Sequence, residues 1–407
     1  MLDQWLVHRV RRRVEASGLP LAVELWDGRQ VGRDPAAVRV RLRRPTSLKA
    51  MAEPSLGTLA RAYVEEHLDL DGDARDILAL GERLCRAGAD HARSRARARK
   101  WWQHTRARDR RNIQYHYDVS NDFYGLWLDA RRVYSCAYFH TPEMSLDAAQ
   151  EAKLDHICRK LDLKPGERFL DIGCGWGGLV LHAAQRYGVH AVGITLSEDQ
   201  HAHASRLVTE RGLADRVEVR RMDYRDVPEH GGYDKIASVG MFEHVGQVNL
   251  PTYFAHIAAL LKPGGLVLNH GITAATPDSG GLGSGISEFV DDYVFPGGEL
   301  VHVSEVLRTA ATSGLECLDA ENLRPHYART LWHWVGRLEA NADAARRLIG
   351  EQRYRIWRIY MAGSAHAFER GWLELWQVLA GKGVAGTQPG YPFSRDYMYR
   401  SDQAPFA

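Results

Sequence analysis

Cysteine is scarce in this chain, and its few cysteines are not paired in sequence. Its 407 residues contain five, odd in number and scattered, with no Cys-x-x-Cys spacing. This pattern argues against a disulfide framework and against a zinc site, so we expect no metal centre. A reducing cytoplasm is the compartment that fits such cysteine usage best.

Long apolar runs are missing as well. No uncharged apolar stretch approaches the roughly 18 residues of a transmembrane helix, and the arginine-bearing first residues lack the apolar core of a signal peptide. Any membrane contact is therefore expected to be peripheral. The formal net charge is only +2, which gives no general argument for nucleic-acid binding.

Positive charge is concentrated towards the N terminus. Residues 93–111 are rich in arginine, with Asp109 as their one acid. A run of this kind is typical of a solvated linker, a phospholipid-binding segment or a nucleic-acid-binding segment. No base-reading element is predicted beside it, so we expect lipid contact or a solvated linker rather than nucleic acid.

Two further N-terminal patterns mix arginine with apolar residues. The apolar side chains of residues 2–14 recur at helical spacing, which is typical of a helix on an anionic membrane or of a packed N-terminal helix. Residues 38–43 alternate apolar side chains with arginines and predict a strand with one apolar and one cationic face.

The most informative feature present is a strand that runs into a glycine-crowded turn, Phe169–Gly178. Glycines there adopt positive φ and let backbone N–H groups approach a nucleotide-like ligand, while Asp171 accepts hydrogen bonds or faces a cation. Gly173, Gly175 and Gly178 also satisfy the spacing of a dinucleotide fingerprint. The motif by itself leaves NAD, S-adenosylmethionine and a purely structural turn open.

The residue at the end of the next predicted strand distinguishes NAD from S-adenosylmethionine. A dinucleotide-binding fold places an acid at the end of that strand, about 20 residues further on, to hold a ribose. Here the strand His190–Leu196 ends in Thr195, and the following acids fall in the first turn of a helix capped by Ser197. We therefore favour S-adenosylmethionine over NAD.

Strands and helices then alternate as in a doubly wound α/β sheet. Apolar strands are predicted at residues 217–219, 233–239 and 266–270, and helical periodicity with many aromatics from 321 to 379. Ligand groups should collect at the carboxyl ends of the parallel strands.

Four side chains that titrate or hydrogen-bond are expected near these strand ends: Cys136, Glu243, His244 and His270. Each has a plain structural explanation, since a lone cysteine is usually a small buried hydrophobe and a strand-end histidine is usually a satisfied polar group. A carboxylate after an apolar strand is harder to dismiss, because its burial is costly unless it is paired or solvated in a cleft. Their clustering is what indicates a reactive site.

Several longer motifs allow a comparison with known families. They are Tyr115–Phe123, Tyr134–Tyr138, the Asp171 glycine turn, Val239–Gly246, Phe295–Gly298, Pro325–Leu331 and Leu375–Val378. Together, over residues 110–383, they resemble the cyclopropane-fatty-acyl-phospholipid synthases. The related mycolic acid cyclopropane synthases share the catalytic motifs but look shorter, without an extension like residues 1–105, which favours the phospholipid branch.

The resemblance implies an α/β fold, the class I S-adenosylmethionine-dependent methyltransferase with its Rossmann-like doubly wound sheet, and a smaller N-terminal lipid-binding domain. Residues 1–105 would form that domain with its basic linker, residues 106–383 the catalytic domain, and residues 384–407 a C-terminal tail. A homodimer is also implied by the family resemblance alone.

The implied reaction is transfer of a methylene unit from S-adenosylmethionine to the cis double bond of an unsaturated phospholipid acyl chain, which closes a cyclopropane ring. The family's base is thought to be a bound bicarbonate ion, held by groups that match Cys136, Glu243, His270, the backbone of Ile272, and Tyr327. The cofactor-binding positions carried over in the same way are Tyr134, Ser135, Asp171, Gly173, Gly175, Thr195, Gln200, Asp223 and Tyr224.

The resemblance leaves two other functions open. One is a fatty acyl methyltransferase on the same fold, which stops at a methylene or methyl branch. The other is a non-catalytic lipid-binding protein, against which the intact set of anion-binding positions argues. The sequence departs from the family at Gly271, where threonine is more common. We expect a cytoplasmic enzyme associated peripherally with the inner face of the membrane, where its phospholipid substrate lies.

Overall fold

The computed structural model describes residues 2–86, 120–228, 232–278, 285–294, 298–383 and 391–399. The chain divides into two compact units, a smaller one of residues 1–98, 280–296 and 331–370 and a larger one of the remaining residues. The basic segment 93–111, most of the Tyr115–Phe123 motif and the predicted boundary at residue 105 lie outside the described residues. Residues 331–370 group with the N-terminal residues, whereas the sequence predicts a catalytic domain that runs through them.

The described helices and strands follow one another in chain order. The α-helices are α1 Leu2–Ser17, α2 Leu48–Ala52, α3 Leu56–Val64, α4 Ala74–Arg86, α5 Asn121–Gly125, α6 Leu146–Lys160, α7 Gly178–Tyr187, α8 Glu198–Glu210, α9 Leu250–Leu260, α10 Ile286–Tyr293, α11 Val303–Thr312, α12 Arg324–Ala340, α13 Ala342–Ile349, α14 Glu351–Glu369 and α15 Asp396–Tyr399. The strands are β1 Leu21–Glu24, β2 Gln30–Gly32, β3 Val38–Leu42, β4 Leu68–Asp71, β5 Arg168–Ile172, β6 His190–Thr195, β7 Val217–Arg221, β8 Tyr233–Val239, β9 Leu261–Ala274, β10 Leu315–Asn322 and β11 Leu373–Lys382.

The smaller unit contains a four-stranded sheet in the order β2-β1-β3-β4. Two of the arginines that were predicted to form a cationic face are paired with acids: Arg41 of β3 contacts Asp71 at 2.7 Å, and Arg43, just after β3, contacts Asp69 at 2.8 Å. That face is therefore charge-compensated. In α1 the valines of the apolar stripe are buried, which supports the packed-helix interpretation of residues 2–14.

The larger unit is built on a seven-stranded sheet in the order β10-β11-β9-β8-β5-β6-β7. Neighbours from β9 to β7 are parallel, and β11 runs antiparallel between β9 and β10. Two hydrophobic cores accompany this sheet, one around Ile157 and Val180 and the other around Tyr253 and Ile257. The doubly wound sheet is as predicted, and the carboxyl ends of its parallel strands share one edge.

The prediction of helical structure across residues 321–379 is wrong at both ends of that range. Residues up to Asn322 belong to β10, and Leu373–Lys382 forms β11. Strand β11 lies between two other strands and is buried along most of its length, so it lacks the alternation that marks a half-exposed strand. The turn predicted at residues 262–265 is a register shift inside the long strand β9.

Candidate active site

The glycine turn is anchored between β5 and β6. The backbone N–H groups of Gly173 and Cys174 both donate to Ile194 O, at 3.0 and 2.9 Å. Gly173 and Gly175 have φ of +84° and +55°, which side chains other than glycine rarely adopt. A Cβ added to Gly173 would also lie 3.2 Å from Met241 Cγ. The turn therefore presents bare backbone to the space above the strand ends, as the motif predicts.

One cavity lies at this edge of the sheet, and all of the predicted cofactor positions line it. They are Tyr134, Ser135, Asp171, Gly173, Gly175, Thr195, Gln200, Asp223 and Tyr224. Its empty volume, with the open mouth included, is about 1170 Å³. The structure thus brings together residues that are almost a hundred positions apart in sequence.

The end of β6 carries a neutral hydrogen-bonded pair. Thr195 Oγ1 donates to Gln200 Oε1 at 2.8 Å, and both side chains are buried. Ser197 caps α8 by accepting from the Gln200 backbone N–H at 3.3 Å, as predicted. The Gln200 amide keeps its N–H donors for a ligand, because its oxygen already accepts from threonine.

Two carboxylates in the lining differ sharply in their surroundings. Asp223 accepts from Arg225 Nε at 2.8 Å and from the Arg225 backbone N–H at 3.0 Å, so its orientation is fixed. Asp171 is 2% exposed, and its Oδ1 has no hydrogen-bond partner among the described residues. Burial raises the pKa of Asp171 to about 7, against the opposing effect of Lys153. Asp171 is therefore the lining carboxylate that is available to a ligand.

Three of the five predicted anion-binding residues, Glu243, His270 and Ile272, lie at the ends of β8 and β9. Glu243 lies in a short 3₁₀ turn after β8, and its Oε1 accepts from the Ile272 backbone N–H at 2.7 Å. His270 Nδ1 lies 3.2 Å from Gln377 Nε2 of β11. Three polar atoms here are buried without a hydrogen-bond partner in the described part of the chain: Glu243 Oε2, His270 Nε2 and Gln377 Oε1. Burial raises the pKa of Glu243 to about 7 and holds the pKa of His270 well below its usual range.

The departure at Gly271 has a steric cause. A Cβ at this position would lie 2.1 Å from Cε1 of the Phe242 ring and 3.0 Å from Glu243 Oε1. Phenylalanine therefore fills the space that a side chain at position 271 would need. Glycine at this position lets Phe242 pack directly against β9 and keeps Glu243 close to Ile272.

Cys136 and Tyr327 lie on two segments that are hydrogen-bonded to each other. Ala137 N–H donates to Thr330 Oγ1 of α12 at 3.0 Å. The carbonyl of Leu323 accepts from the Tyr327 backbone N–H at 3.1 Å and lies 3.9 Å from Cys136 Sγ. Burial raises the pKa of the Cys136 thiol far above its usual range, so the sulfur is a neutral thiol.

Strand β11 connects these two groups of residues. Leu323 N–H donates to Leu375 O at 2.7 Å, and Leu375 is the register partner of Ile272 in the neighbouring β9. Leu323 thus touches the segments that carry Cys136, Tyr327 and, through Leu375, Ile272. The segments that carry all five predicted positions are therefore connected by a series of backbone and side-chain contacts.

The sequence did not single out the polar groups that support this network. Tyr138 is stacked between His156 and His326, with ring centroids 4.3 and 4.8 Å away. Glu321 accepts from His156 Nε2 at 2.8 Å and from Lys160 at 2.6 Å, and these partners hold the pKa of Glu321 at about 2.

Lys153, on the buried face of α6, is a further residue of the cavity lining that was not predicted. A signal was present, because Gln150, Lys153, Leu154 and Ile157 follow the spacing of a buried helix face.

Other kinds of site were also sought within the described residues. No group of three or more histidine, cysteine, aspartate or glutamate residues there could hold a metal ion. Nor does that part of the chain contain a helix long and apolar enough to cross a membrane.

The sequence and the fold were compared with known proteins. The family described as mycolic acid cyclopropane synthetase matches residues 104–378. A probable fatty acid methyltransferase of Pseudomonas putida is 45% identical over 383 residues, which cover 94% of this chain and 97% of the relative. The cyclopropane-fatty-acyl-phospholipid synthase of Escherichia coli is 38% identical over 269 residues, 66% of this chain and 67% of the relative.

Among solved structures, a mycolic acid cyclopropane synthase complexed with SAH and CTAB is 35% identical to this protein, with a TM-score of 0.64. The match covers 67% of this chain and 98% of the chain in that structure. The predicted α/β methyltransferase fold is confirmed by this likeness and by the sheet. The chain belongs to the mycolic acid cyclopropane synthetase family, and it is an S-adenosylmethionine-dependent methyltransferase.

Proposed function

We propose that this enzyme adds a methylene unit to the cis double bond of an unsaturated phospholipid acyl chain and closes a cyclopropane ring, with a bound bicarbonate ion as the base. The observation that carries the proposal is the group of buried polar atoms that have no hydrogen-bond partner among the residues described, Glu243 Oε2, His270 Nε2 and Gln377 Oε1. Buried polar atoms are nearly always hydrogen-bonded, so a site that leaves three of them unpaired is suited to a small polar ligand.

The cavity suits S-adenosylmethionine as the donor. Asp171 Oδ1 offers a buried acceptor for a cationic group, and the Gly173 turn offers a surface without side chains. Thr195 and Gln200 offer neutral hydrogen-bonding groups where a ribose would lie. When bound, this cofactor supplies a methyl group on a positively charged sulfur.

The chemistry of an alkene explains why an anion site is useful. A double bond has no acidic proton to lose before it attacks a methyl group, so no activated side-chain nucleophile is needed. The attack leaves a carbocation on the acyl chain, which must be kept from water and must lose a proton before the ring closes. Bicarbonate held beside the site would supply a base for that proton.

The protonation states of the surrounding groups fit an anion. Gln377 Nε2 is the amide's donor atom, so its contact makes His270 Nδ1 the acceptor and leaves the ring proton on Nε2. Glu243, with a pKa raised to about 7, takes up a proton readily and then donates rather than repels. Cys136 is a neutral thiol. The site therefore presents donors to a small anion with little like-charge repulsion.

The test is incubation of the purified enzyme with labelled S-adenosylmethionine and vesicles of unsaturated phospholipid, in bicarbonate-depleted and bicarbonate-supplemented buffer. We expect lipid products whose NMR spectrum shows ring protons, formed faster when bicarbonate is added. Ring products formed at the same rate in both buffers would contradict the role of bicarbonate. Exocyclic =CH₂ or methyl protons on the transferred carbon, in place of ring protons, would contradict cyclopropanation.

A second candidate function is branching of the acyl chain by methyl transfer without ring closure. It is favoured by the relative from Pseudomonas putida, named a probable fatty acid methyltransferase, which aligns with 94% of this chain. A methylene-branched chain and a cyclopropane have the same mass, so NMR rather than mass spectrometry separates the two products.

A further inference from the structure

Lys153 is a buried cation in the wall of the cofactor cavity. It is 1% exposed, and its Nζ lies 2.9 Å from Ser135 Oγ. Within the described residues this hydroxyl is its one hydrogen-bond partner, and no carboxylate oxygen of that part of the chain lies within 4 Å of Nζ. A buried ammonium without a close counter-ion is costly, so it is expected to have a function.

The direction of this hydrogen bond is fixed by its chemistry. An ammonium has three donors and no acceptor, so Ser135 Oγ must accept from Lys153. The hydroxyl proton of Ser135 therefore points away from Lys153. Because Ser135 lines the cavity, this proton can be donated to a ligand there. Gln150, one turn earlier on α6, donates to Ser135 O at 2.8 Å and to Val133 O at 3.1 Å, so the segment that carries the hydroxyl is held in place.

The charges that face Lys153 come from several elements. Asp129 lies in the loop before Val133, and its carboxylate already accepts the Arg131 and Val133 backbone N–H groups. Asp171 on β5 acts on Lys153 at longer range, and the thiols of Cys136 and Cys158, which also face it, are neutral because burial raises their pKa. Burial lowers the pKa of Lys153 to about 8, and the two carboxylates oppose that shift. Lys153 is thus a cation at neutral pH, in a cavity where Asp171 is available for a ligand's positive charge.

We propose that Lys153 is the residue that positions the carboxylate of the cofactor's amino-acid portion, by holding Ser135 as a hydrogen-bond donor and by supplying the compensating charge. The proposal rests on the assignment of the cavity to S-adenosylmethionine. In this proposal Lys153 and Ser135 bind the carboxylate of the amino-acid portion, and Asp171 binds its ammonium group. Binding of the nucleoside portion does not depend on Lys153.

Calorimetry with two ligands tests this division. S-adenosylhomocysteine carries the carboxylate, whereas 5′-methylthioadenosine has the same nucleoside and sulfur without the amino-acid portion. In Lys153→Met we expect the affinity for S-adenosylhomocysteine to fall by roughly 10- to 100-fold, with the affinity for methylthioadenosine within about twofold of wild type. Ser135→Ala should give a smaller loss of the same selectivity, and Lys153→Arg should retain part of the lost affinity.

A matched control is Lys235→Met. Lys235 is another buried lysine of the larger unit, 6% exposed, but it lies on β8 outside the cavity lining and faces Glu167 at 3.8 Å. We expect this variant to bind both ligands as wild type does. Equal losses of both ligands in Lys153→Met would reduce Lys153 to a structural residue, and no loss of either would overturn the proposal outright.

The pH dependence gives a readout that a structural role would not produce. Lys153 is charged below its pKa of about 8, so wild-type affinity for S-adenosylhomocysteine, relative to methylthioadenosine, should fall as pH rises from 7 to 9. This ratio should be much less dependent on pH in Lys153→Met, and in Ser135→Ala it should still fall. If Lys153→Met fails to fold, Lys153→Arg and Ser135→Ala still decide the question. A wild-type protein that binds neither ligand would overturn the cofactor assignment itself.

Discussion

The Glu243 carboxylate accepts the Ile272 backbone N–H at 2.7 Å through one oxygen and leaves the other oxygen without a partner among the described residues. The contact joins the 3₁₀ turn after β8 to β9. It holds the carboxylate in a fixed orientation while half of its hydrogen-bonding capacity remains. An arrangement of this kind suits a group that must bind and release a small ligand rather than one that only supports the fold.

Glu243→Gln tests this role directly. The amide oxygen can still accept from Ile272, but the group can no longer exchange a proton. We expect turnover to fall by about 100-fold or more, whereas the affinity for S-adenosylhomocysteine stays within about twofold of wild type. The measurements are product formation from labelled cofactor and calorimetric titration.

Glu299→Gln is the matched control for that experiment. Its carboxylate also accepts a backbone N–H, that of Gln247, at 3.0 Å, but Glu299 is not one of the predicted anion-binding residues. This variant should keep wild-type turnover. Loss of cofactor affinity in Glu243→Gln would mean that the anion site and the cofactor site are not separate.

The raised pKa of Glu243 predicts a dependence of stability on pH. With a pKa of about 7 in the folded state and about 4.3 when exposed, the native protein binds more protons than the unfolded chain between these values. This group therefore lowers the free energy of unfolding as pH rises through that window. Glu243→Gln should be more stable than wild type at pH 8, by about 2–3 kcal/mol, with a much smaller difference at pH 5.

Urea unfolding of both proteins at pH 5 and pH 8 measures this difference. Glu299→Gln again serves as the comparison, since it should not reproduce the stabilisation at pH 8. The same stability difference at both pH values would show that the carboxyl group ionises normally in the folded protein.

Gly271→Ala should disrupt the packing around Phe242. The new Cβ would lie 2.1 Å from the aromatic ring, so either the ring or β9 must move. We expect destabilisation by about 1–3 kcal/mol and a loss of turnover, because Glu243 lies within 3.0 Å of the same position. Gly363→Ala in α14 is the control, since nothing lies within 4 Å of its Cβ position and alanine favours a helix. Wild-type stability and turnover in Gly271→Ala would contradict the steric explanation of this glycine.

The sequence predicted the parts of the fold that depend on local chemistry. Strand β8 has the predicted bounds, and Ser197 caps α8 as its position before two acids indicated. The nine cofactor positions line one cavity because they follow parallel strands whose carboxyl ends share an edge, or lie in the segment beside it.

The parts of the fold and of the site that the sequence did not predict depend on long-range strand pairing, which local sequence patterns do not encode. Strand β11 is flanked on both sides by other strands, so its apolar residues could not be distinguished from a buried helix. The connection between the segments that carry Cys136, Tyr327 and Ile272 depends on the register of β11 and on Leu323. Lys153 was missed although a lysine on an otherwise buried helix face is unusual.

The basic segment 93–111 remains a prediction from the sequence. If it binds phospholipid, reversing the charge of Arg95, Arg97 and Arg99 to glutamate should weaken association with anionic vesicles, most strongly at low salt. Vesicle sedimentation at low and high ionic strength measures the effect. Reversal at Arg206, Arg211 and Arg308, three exposed arginines of the larger unit, gives the same change of net charge and controls for it. Binding unchanged by the triple substitution would assign the segment to a solvated linker.

Gln200→Leu should weaken the nucleoside end of the cofactor site. The substitution removes the amide that Thr195 orients, at 2.8 Å, and leaves the lysine and carboxylate at the other end in place. Because both S-adenosylhomocysteine and 5′-methylthioadenosine contain the ribose, we expect both to lose affinity by about 5- to 20-fold. This is the opposite selectivity from that expected for Lys153→Met. Gln185→Leu, an exposed glutamine on α7, should change neither affinity. A loss confined to S-adenosylhomocysteine would place Gln200 near the amino-acid portion and reverse the orientation assigned to the cofactor.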